Sequence, residues 1–314
     1  MYDVIGDIHG HADALERLLG ELGYTARGDS WHHPQRRVVF LGDFVDRGPA
    51  IARVLEIARG MVEAGDALAI MGNHEFNAAA FHMPHPHENS AFLRERSYKN
   101  VRQYLETVRQ LTDREIDDYT AWFLELPMWL ELDGLRVVHA CWDPASMAIV
   151  EEGMRRHGGL NEAFMHDACE ESTELFDAVE VLLKGKEAPL PEGLSFHDKD
   201  GHERFHVRTQ WFLPPGGLTW REYAFAFRAN ERERFPDVLL PDDVVASATP
   251  YDDDAPPVLF GHYWLPPSVA PAPLAPNVAC LDYSVARGGR LCAYRWSGER
   301  VLDPASFVSV PAEV

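Results

Sequence analysis

The amino-acid sequence predicts a layered α/β fold. In its first half, short apolar runs alternate with segments of helical periodicity, and most of the runs end at a glycine. A chain of 314 residues with 46% hydrophobic residues can bury a sizeable core, which excludes intrinsically disordered and fibrous proteins.

Each element of the first half has its own sequence signal. Strands are short apolar runs, and helices are longer segments with apolar residues on one face. Gly23 ends the first helix, and Pro49 lies in the first turn of the second. In chain order we predict a strand at 2–5, a helix at 11–22, a strand at 38–41, a helix at 49–62, a strand at 67–71, helices at 98–111 and 113–126, and a strand at 135–138.

Beyond Cys141 the pattern becomes irregular. The chain is acidic and helical at about 160–183, and it is then punctuated by proline and glycine from 184 to 217. Regular strands are predicted again at 258–260, 278–281 and 291–295. We therefore expect a single domain over residues 1–314, with an insert or cap at about 143–257, and not two separate domains.

The composition restricts the partners and the compartment. The 29 Lys and Arg residues are outnumbered by 50 Asp and Glu, and the net charge of −21 argues against nucleic-acid and anionic membrane partners. No apolar run approaches the length of a membrane span, and the N-terminus does not resemble a signal peptide. The four cysteines form no C-x-x-C pair, which favours a reducing compartment. We expect a cytoplasmic enzyme, and its oligomeric state is left open.

Polar residues follow the predicted strands. Because ligands bind outside the carboxyl ends of strands in an open α/β sheet, these side chains should converge. Two carboxylates, one amide oxygen and three imidazoles form a mixed donor set that suits Mn, Fe or Zn better than Mg or Ca. In strand order the donors are Asp7 and His9, then Asp43, Asn73, His139 and His262.

Three motifs carry a resemblance to a known family. They are Gly-Asp-Ile-His-Gly at 6–10, Gly-Asp-Phe-Val-Asp-Arg-Gly at 42–48, and Gly-Asn-His-Glu at 72–75. With His139-Ala140 and Gly261-His262, they make the sequence resemble the calcineurin-like metallophosphoesterases. Within these it is similar to the phosphoprotein phosphatase superfamily, in the bacterial branch related to symmetrical diadenosine tetraphosphatases. The resemblance implies a central mixed β-sandwich flanked by helices.

The resemblance also implies a dinuclear metal centre. One divalent ion would be held by Asp7, His9 and a bridging Asp43, and the other by the same Asp43 with Asn73, His139 and His262. Mn is the first expectation, with Fe or Zn as alternatives. A hydroxide that bridges the two ions would attack the phosphorus.

Four more residues have roles implied by the resemblance. His74 would act as general acid, and Asp46 would orient its imidazole and raise its pKa. Arg47 would bind the substrate phosphate. A second phosphate-binding arginine is expected, and we assign it to Arg208, with Arg228 as the alternative.

The sequence thus predicts a metal-dependent phosphatase acting on phosphate monoesters, in phosphoproteins or small metabolites. The alternative is a hydrolase of diadenosine tetraphosphate or related nucleotide phosphoanhydrides, and a remote alternative is an inactive binding module. Met71 and Ala140-Cys141 stand where protein phosphatases have Arg and Gly-Gly, which favours the bacterial branches. A pocket closed by the insert and lined by aromatic residues would favour a nucleotide, whereas an open groove would favour a phosphoprotein.

Overall fold

The computed structural model describes residues 1–28, 30–197, 203–227 and 229–312. These residues form mixed β-sheets and α-helices, which confirms the predicted layered α/β fold. The strands are Tyr2–Ile5 (β1), Thr25–Arg27 (β2), Ser30–His32 (β3), Arg37–Phe40 (β4), Ala67–Ala69 (β5), Trp129–Leu132 (β6), Leu135–Val138 (β7), Glu187–Pro189 (β8), Phe196–His197 (β9), Glu203–Arg204 (β10), His206–Arg208 (β11), Val258–Phe260 (β12), Val278–Cys280 (β13), Asp282–Tyr283 (β14), Arg290–Trp296 (β15) and Phe307–Pro311 (β16).

The helices connect these strands or lie within the region predicted as an insert. They are Ala12–Glu21 (α1), Ile51–Glu63 (α2), Asn73–His82 (α3), Tyr98–Gln110 (α4), Asp113–Phe123 (α5), Pro144–His157 (α6), Glu162–Ala168 (α7), Glu174–Lys184 (α8), Trp220–Tyr223 (α9), Ala229–Arg232 (α10) and Asp242–Ser247 (α11). In the described ranges, no helix combines the length and the apolar character that crossing a membrane requires.

Two mixed sheets form the centre of the fold. The larger has the strand order β14-β15-β1-β4-β5, and β16 also pairs with β15. Strands β1, β4 and β5 are parallel, so their carboxyl ends lie at one edge. The smaller sheet has the order β13-β12-β7-β6, in which β12 is parallel to both β13 and β7. Each sheet therefore offers one edge at which several strands end together.

A single cluster of buried apolar residues includes side chains of both sheets, such as Phe40 from β4 and Leu259 from β12. Helix α1 adds Leu15 and Leu18, which the predicted apolar stripe placed on one face. Burial of each such side chain stabilises the fold by about 1.5–3 kcal/mol. The strand ends are thus anchored in a continuous core.

Helix α3 was not predicted, although it begins within the third motif. Apolar and polar residues are buried on all of its sides, so its sequence lacks the one-sided apolar stripe that marks a surface helix. Its first residues, Asn73 and His74, are both candidate functional residues. The amino end of a buried helix therefore presents them.

The segment predicted as an insert, residues 143–257, contains α6–α11 and β8–β11. Residues 160–183, which the sequence predicts to be helical, form two separate helices, α7 and α8. The side chain of Thr173 accepts the backbone N–H of Phe176 and so caps a new helix. A second, smaller apolar cluster around Val207 and Trp220 lies within this segment.

Candidate metal centre

Loops at the strand ends bring the six predicted metal ligands together. The backbone N–H of His9 donates to the carbonyl of Asp43 at 2.8 Å, which joins the loop after β1 to the loop after β4. The backbone N–H of His262, after β12, donates to Asp7 Oδ2 at 3.0 Å. All six side chains are buried: Asp7, His9, Asp43, Asn73, His139 and His262.

Two glycines of the motifs make room for the carboxylates. A Cβ at Gly261 would lie 2.0 Å from Asp7 Oδ1, and a Cβ at Gly72 would lie 2.3 Å from Asp43 Oδ1. Any other residue at these positions would displace a carboxylate or the backbone. Gly72 and Gly261 therefore allow the backbone and the two carboxylates to lie in close contact.

Asp43 lies at the centre of the donor set. Its Oδ2 is 3.4 Å from His9 Nε2, and its Oδ1 is 3.5 Å from His139 Nε2. With Asp7 and His139 it forms a group whose ligand atoms all lie within 4.8 Å of one another. His9, Asp43 and His74 form a second such group. A shared Asp43 is the geometry expected of a bridging ligand.

The side chain of Asn73 faces two imidazoles. Its Oδ1 lies 3.0 Å from His139 Nε2 and 2.9 Å from His262 Nδ1. The Nδ1–H of His139 donates to the carbonyl of Leu41 at 2.7 Å, so Nε2 of the neutral ring carries a lone pair. Burial lowers the pKa of His139, which keeps the ring neutral. Two electron-pair donors thus face each other, an arrangement that a cation would stabilise.

The buried carboxylates also require positive charge. Burial, together with the charges of Asp282 and Asp43, holds the pKa of Asp7 well above its usual range. Burial raises the pKa of Asp43 to about 8, and Arg47 opposes this shift. The Nε2 of His262 is buried without a hydrogen-bond partner among the described residues. These donors fit divalent cations that accept both oxygen and nitrogen ligands.

His74 and Asp46 form a close pair. Nδ1 of His74 is 2.5 Å from Asp46 Oδ2, while Thr107 Oγ1 donates to Asp46 Oδ1 at 2.6 Å. Burial raises the pKa of Asp46 to about 6. Burial and the charge of Arg47 hold the pKa of His74 well below its usual value, whereas the sequence analysis expects Asp46 to raise it. The contact with Nδ1 leaves Nε2 as the ring nitrogen that does not face Asp46.

Arg47 lies directly beside the donor set. Its Nη1 donates to His9 Nε2 at 2.5 Å, and its guanidinium carbon lies 4.1 Å from the ring centroid of Trp264. Because His9 Nδ1 donates to the carbonyl of Val45 at 3.0 Å, Nε2 carries the lone pair that Arg47 engages. His9 Nε2 would be one of the atoms that hold a cation, and the adjacent Arg47 guanidinium would be available to an anionic substrate.

Several residues around this centre have left-handed backbone conformations that non-glycine residues rarely adopt. The φ angles are 45° at His9, 54° at Asp43, 68° at Asp46 and 71° at Arg47. Such conformations store strain and cluster at functional sites. The loops after β1 and β4 therefore hold these residues in backbone conformations that non-glycine residues ordinarily avoid.

The second arginine, Arg208, lies in β11 of the predicted insert. Burial lowers the pKa of His262, and the positive charge of Arg208 lowers it further. Its guanidinium carbon is 5.8 Å from the Tyr263 ring centroid, and its Nη2 is 3.6 Å from Glu187 Oε1. Arg208 thus lies near the donor set but is not hydrogen-bonded to it. The alternative, Arg228, lies outside the described residues.

Two acidic residues near the donor set received no role in the sequence analysis. Glu75 accepts the backbone N–H groups of Asp43 at 2.7 Å and Phe44 at 2.8 Å, and so holds the loop that carries the central ligand. Asp282 follows β13 and is buried beside the donor set. Asp282 carries the same sequence signal as the predicted ligands, because it directly follows the strand predicted at 278–281.

A cavity of about 650 Å³ adjoins the site on the side of the insert. Arg208 and Tyr263 line it, and Tyr263 directly follows the predicted ligand His262. Aromatic and basic side chains contribute most of the remaining wall: Phe196, Phe205, Phe225, Phe235, Arg204, His206 and Arg234. Glu187, Glu203 and Glu231 also line the cavity and balance its three arginines. A cavity of this size and lining can accept a small molecule with an aromatic ring and polar groups.

The chain is similar to known proteins in sequence and in fold. The sequence model described as calcineurin-like phosphoesterase matches residues 2–268. The asymmetrical bis(5'-nucleosyl)-tetraphosphatase PrpE of Halalkalibacterium halodurans is 40% identical over 74 residues, which are 23% of this chain and 30% of that protein. Its counterpart in Bacillus subtilis is 42% identical over 74 residues, with the same two shares of 23% and 30%. The match thus spans less than a third of these relatives.

Among solved structures, the cold-active protein-tyrosine phosphatase of a Shewanella species is similar over 99% of this chain and 80% of its own. The TM-score is 0.51 and the sequence identity is 15%. At this identity the likeness concerns the fold alone.

Proposed function

The chain belongs to the calcineurin-like phosphoesterase family, and on that basis we propose that it is a metal-dependent hydrolase of phosphate esters. The observation that carries the proposal is the convergence of Asp43, Asn73 and His139, whose electron-pair donor atoms lie within 3.0–3.5 Å of one another. Substrates would be phosphorylated small molecules, nucleotides or phosphoproteins.

The proposed ligand sets are those of the sequence analysis. Asp7, His9 and Asp43 would hold one divalent ion, and Asp43 with Asn73, His139 and His262 the other. Mn is proposed first, with Fe or Zn as alternatives, since imidazole and carboxylate together suit all three. When bound, the ions would supply Lewis acidity, which lowers the pKa of water and neutralises the phosphoryl oxygens.

The surrounding residues would handle the proton and the phosphate. His74, fixed through Nδ1 by Asp46, would deliver a proton from Nε2 to the departing oxygen. Arg47 would bind the phosphate oxygens in a planar, two-pronged contact, and Arg208 would approach from the insert. Residues 143–257 would act as a cap on a single domain of residues 1–314.

A second candidate is the hydrolysis of nucleotide phosphoanhydrides such as diadenosine tetraphosphate. The cavity beside Tyr263 favours it, because the insert provides most of the wall and aromatic side chains are prominent there. A base could stack against these rings, as aromatic side chains commonly allow. The short matches to tetraphosphatases agree with this candidate.

One experiment separates the candidates. The purified protein is stripped with a chelator, dialysed, and supplied with Mn²⁺, Fe²⁺ or Zn²⁺ before assay with 4-nitrophenyl phosphate, a phosphopeptide panel and diadenosine tetraphosphate. Restored hydrolysis supports the proposed chemistry, and the relative kcat/KM values identify the substrate class. Full activity of the stripped protein, or no activity with any metal and substrate, would contradict the proposal.

The compartment is also a proposal. The four cysteines, Cys141, Cys169, Cys280 and Cys292, are free thiols. Free thiols suit a reducing environment, so we propose a cytoplasmic location. Localisation of the full chain by fractionation would test it.

A further inference from the structure

A second arginine lies against the same tryptophan as Arg47. The guanidinium carbon of Arg287 is 4.3 Å from the Trp264 ring centroid, and that of Arg47 is 4.1 Å from it. The two guanidinium carbons are therefore separated by at most the sum of these distances. The ring of His9 is also close to Trp264, with 5.8 Å between the centroids. Arg287 thus lies at the edge of the candidate metal centre.

Among the residues that the structure describes, the N–H groups of the Arg287 guanidinium have no partner. It forms no hydrogen bond or ion pair with any residue in the described ranges, and the residue is exposed. A guanidinium offers five donors in a fixed planar arrangement, which suits phosphate oxygens. The abundance of acidic residues in this chain makes an unpaired arginine beside the site more notable, since surface arginines readily find a carboxylate.

One buried carboxylate fixes the segments that carry both Trp264 and Arg287. Asp282 Oδ2 accepts the backbone N–H of Trp264 at 2.7 Å, and Oδ1 accepts that of Ser284 at 3.0 Å. The Ser284 carbonyl in turn accepts the backbone N–H of Arg287 at 2.9 Å. Ser284 Oγ also donates to the Leu265 carbonyl at 2.9 Å, which ties the two loops together.

This fixation involves unusual backbone conformations. The φ angles are 57° at Trp264 and 59° at Ser284, both in the left-handed region. Such conformations persist only where the surrounding contacts enforce them. The backbone from which Arg287 extends is therefore held in place before any ligand arrives.

We propose that Arg287 binds a second phosphate of the substrate, next to the phosphate held at Arg47. This inference rests on the proposed function and narrows it to substrates with at least two linked phosphate groups. Successive phosphates in an anhydride chain are only a few ångströms apart, so one chain can reach both guanidinium groups. A phosphate monoester has no second group for Arg287 to bind.

The test compares two anions that resist hydrolysis. Methylenediphosphonate has two linked phosphorus groups, and methylphosphonate has one. Their dissociation constants are measured by isothermal titration calorimetry on Mn²⁺-loaded wild type, Arg287→Ala, Arg287→Lys and Arg109→Ala. Arg109 is an exposed arginine on α4 and serves as the matched control.

Loss of the Arg287 contact should weaken methylenediphosphonate binding about tenfold and methylphosphonate binding less than about twofold. The dissociation constants of Arg287→Lys should lie between those of the wild type and Arg287→Ala, since lysine keeps the charge but loses the planar donor set. Arg109→Ala should leave both constants unchanged. Equal weakening of the two anions by Arg287→Ala, or no weakening of either, would overturn the proposal.

The outcome is separable from that of the proposed function. If the wild type hydrolyses no phosphate ester but Arg287→Ala still loses its preference for the diphosphonate, the proposed activity is wrong and the second phosphate position stands. If hydrolysis is observed and the preference is the same in both proteins, the activity stands and Arg287 has no such role. Matching thermal unfolding midpoints of the variants would exclude misfolding.

Discussion

The carboxylate of Glu75 accepts the backbone N–H of Asp43 at 2.7 Å, across 32 positions of the chain. It also accepts the backbone N–H of Gly72 at 3.0 Å. One side chain thus joins the loop after β4 to the loop after β5, and these loops carry Asp43 and Asn73. Burial raises the pKa of this carboxyl to about 7, and its backbone hydrogen bonds oppose the shift.

We predict that Glu75→Gln destabilises the protein, because an amide NH2 group would face backbone donors that now meet a carboxylate oxygen. The expected loss in the free energy of unfolding is about 1–3 kcal/mol. Metal affinity should fall as well, since the two ligand loops are no longer joined. Urea denaturation and metal titration would measure both, with Glu63→Gln on the surface of α2 as control. An unchanged metal affinity would show that Glu75 serves stability only.

Asp43→Asn should lose most of the bound metal and nearly all turnover. Wild-type protein prepared with Mn²⁺ should contain about two ions per chain, because Asp43 is the ligand shared by both proposed sets. Elemental analysis of both proteins checks this, and Asp254→Asn in an exposed loop is the control. An Asp43→Asn protein that retains two ions would refute the bridging role.

His74→Asn should leave the metal content nearly unchanged and should make the rate of hydrolysis depend more strongly on the leaving group. The variant removes the proposed proton donor, so esters with poor leaving groups should slow far more than those with good ones. The measurement is kcat/KM for 4-nitrophenyl phosphate and for an alkyl phosphate. If both substrates slow equally, His74 is not the general acid.

Arg47→Ala should weaken inhibition by inorganic phosphate, because the guanidinium contact to the phosphate oxygens is lost. It should also lower turnover, because the same contact stabilises the negative charge that develops on these oxygens in the transition state. Arg208→Ala should act in the same direction. Phosphate inhibition constants for Arg47→Ala, Arg208→Ala and Arg228→Ala identify the second arginine. A large rise in Arg228→Ala with none in Arg208→Ala would transfer the role to Arg228.

The metal-free protein should lose stability as the pH rises from 7 to 8. Asp43 has a folded-state pKa of about 8 against an ordinary value of 3.8, and the pKa of Asp7 is also raised, so the unfolded chain loses these protons first. Stability then decreases with pH until the folded pKa is passed. The buried histidines have lowered pKa values and are largely neutral in both states above pH 7, so they offset only part of this loss.

Thermal unfolding midpoints of chelator-treated protein at pH 7 and 8 would measure the effect. Mn²⁺ should reduce the difference, because bound cations favour the ionised carboxylates. Asp43→Asn should reduce it too, since it removes one of the titrating groups. A midpoint that rises over this range in the metal-free wild type would contradict the prediction.

The sequence predicted the scaffold and the convergence of the six candidate ligands, but not all of their surroundings. Asp7 and Asp43 come within three residues of the ends of the parallel strands β1 and β4, which lie at one edge of their sheet. His139 directly follows β7 of the other sheet, and the packing of the two sheets brings it to the same place. Helix α3 escaped prediction because it is buried on all sides and has no apolar stripe. The contact of Arg47 and Arg287 with Trp264 depends on left-handed turns at non-glycine residues, which no local pattern indicates.

The left-handed turns have a consequence for laboratory evolution. Glycine adopts such conformations without the steric cost borne by Arg47 or Trp264, so glycine at either position would relieve backbone strain. A library screened for heat resistance alone would then enrich variants that lack the guanidinium or the indole. Selection for heat resistance would favour glycine at these two positions, whereas selection for phosphate binding would favour Arg47 and Trp264. Only a screen that demands both properties would retain the two side chains.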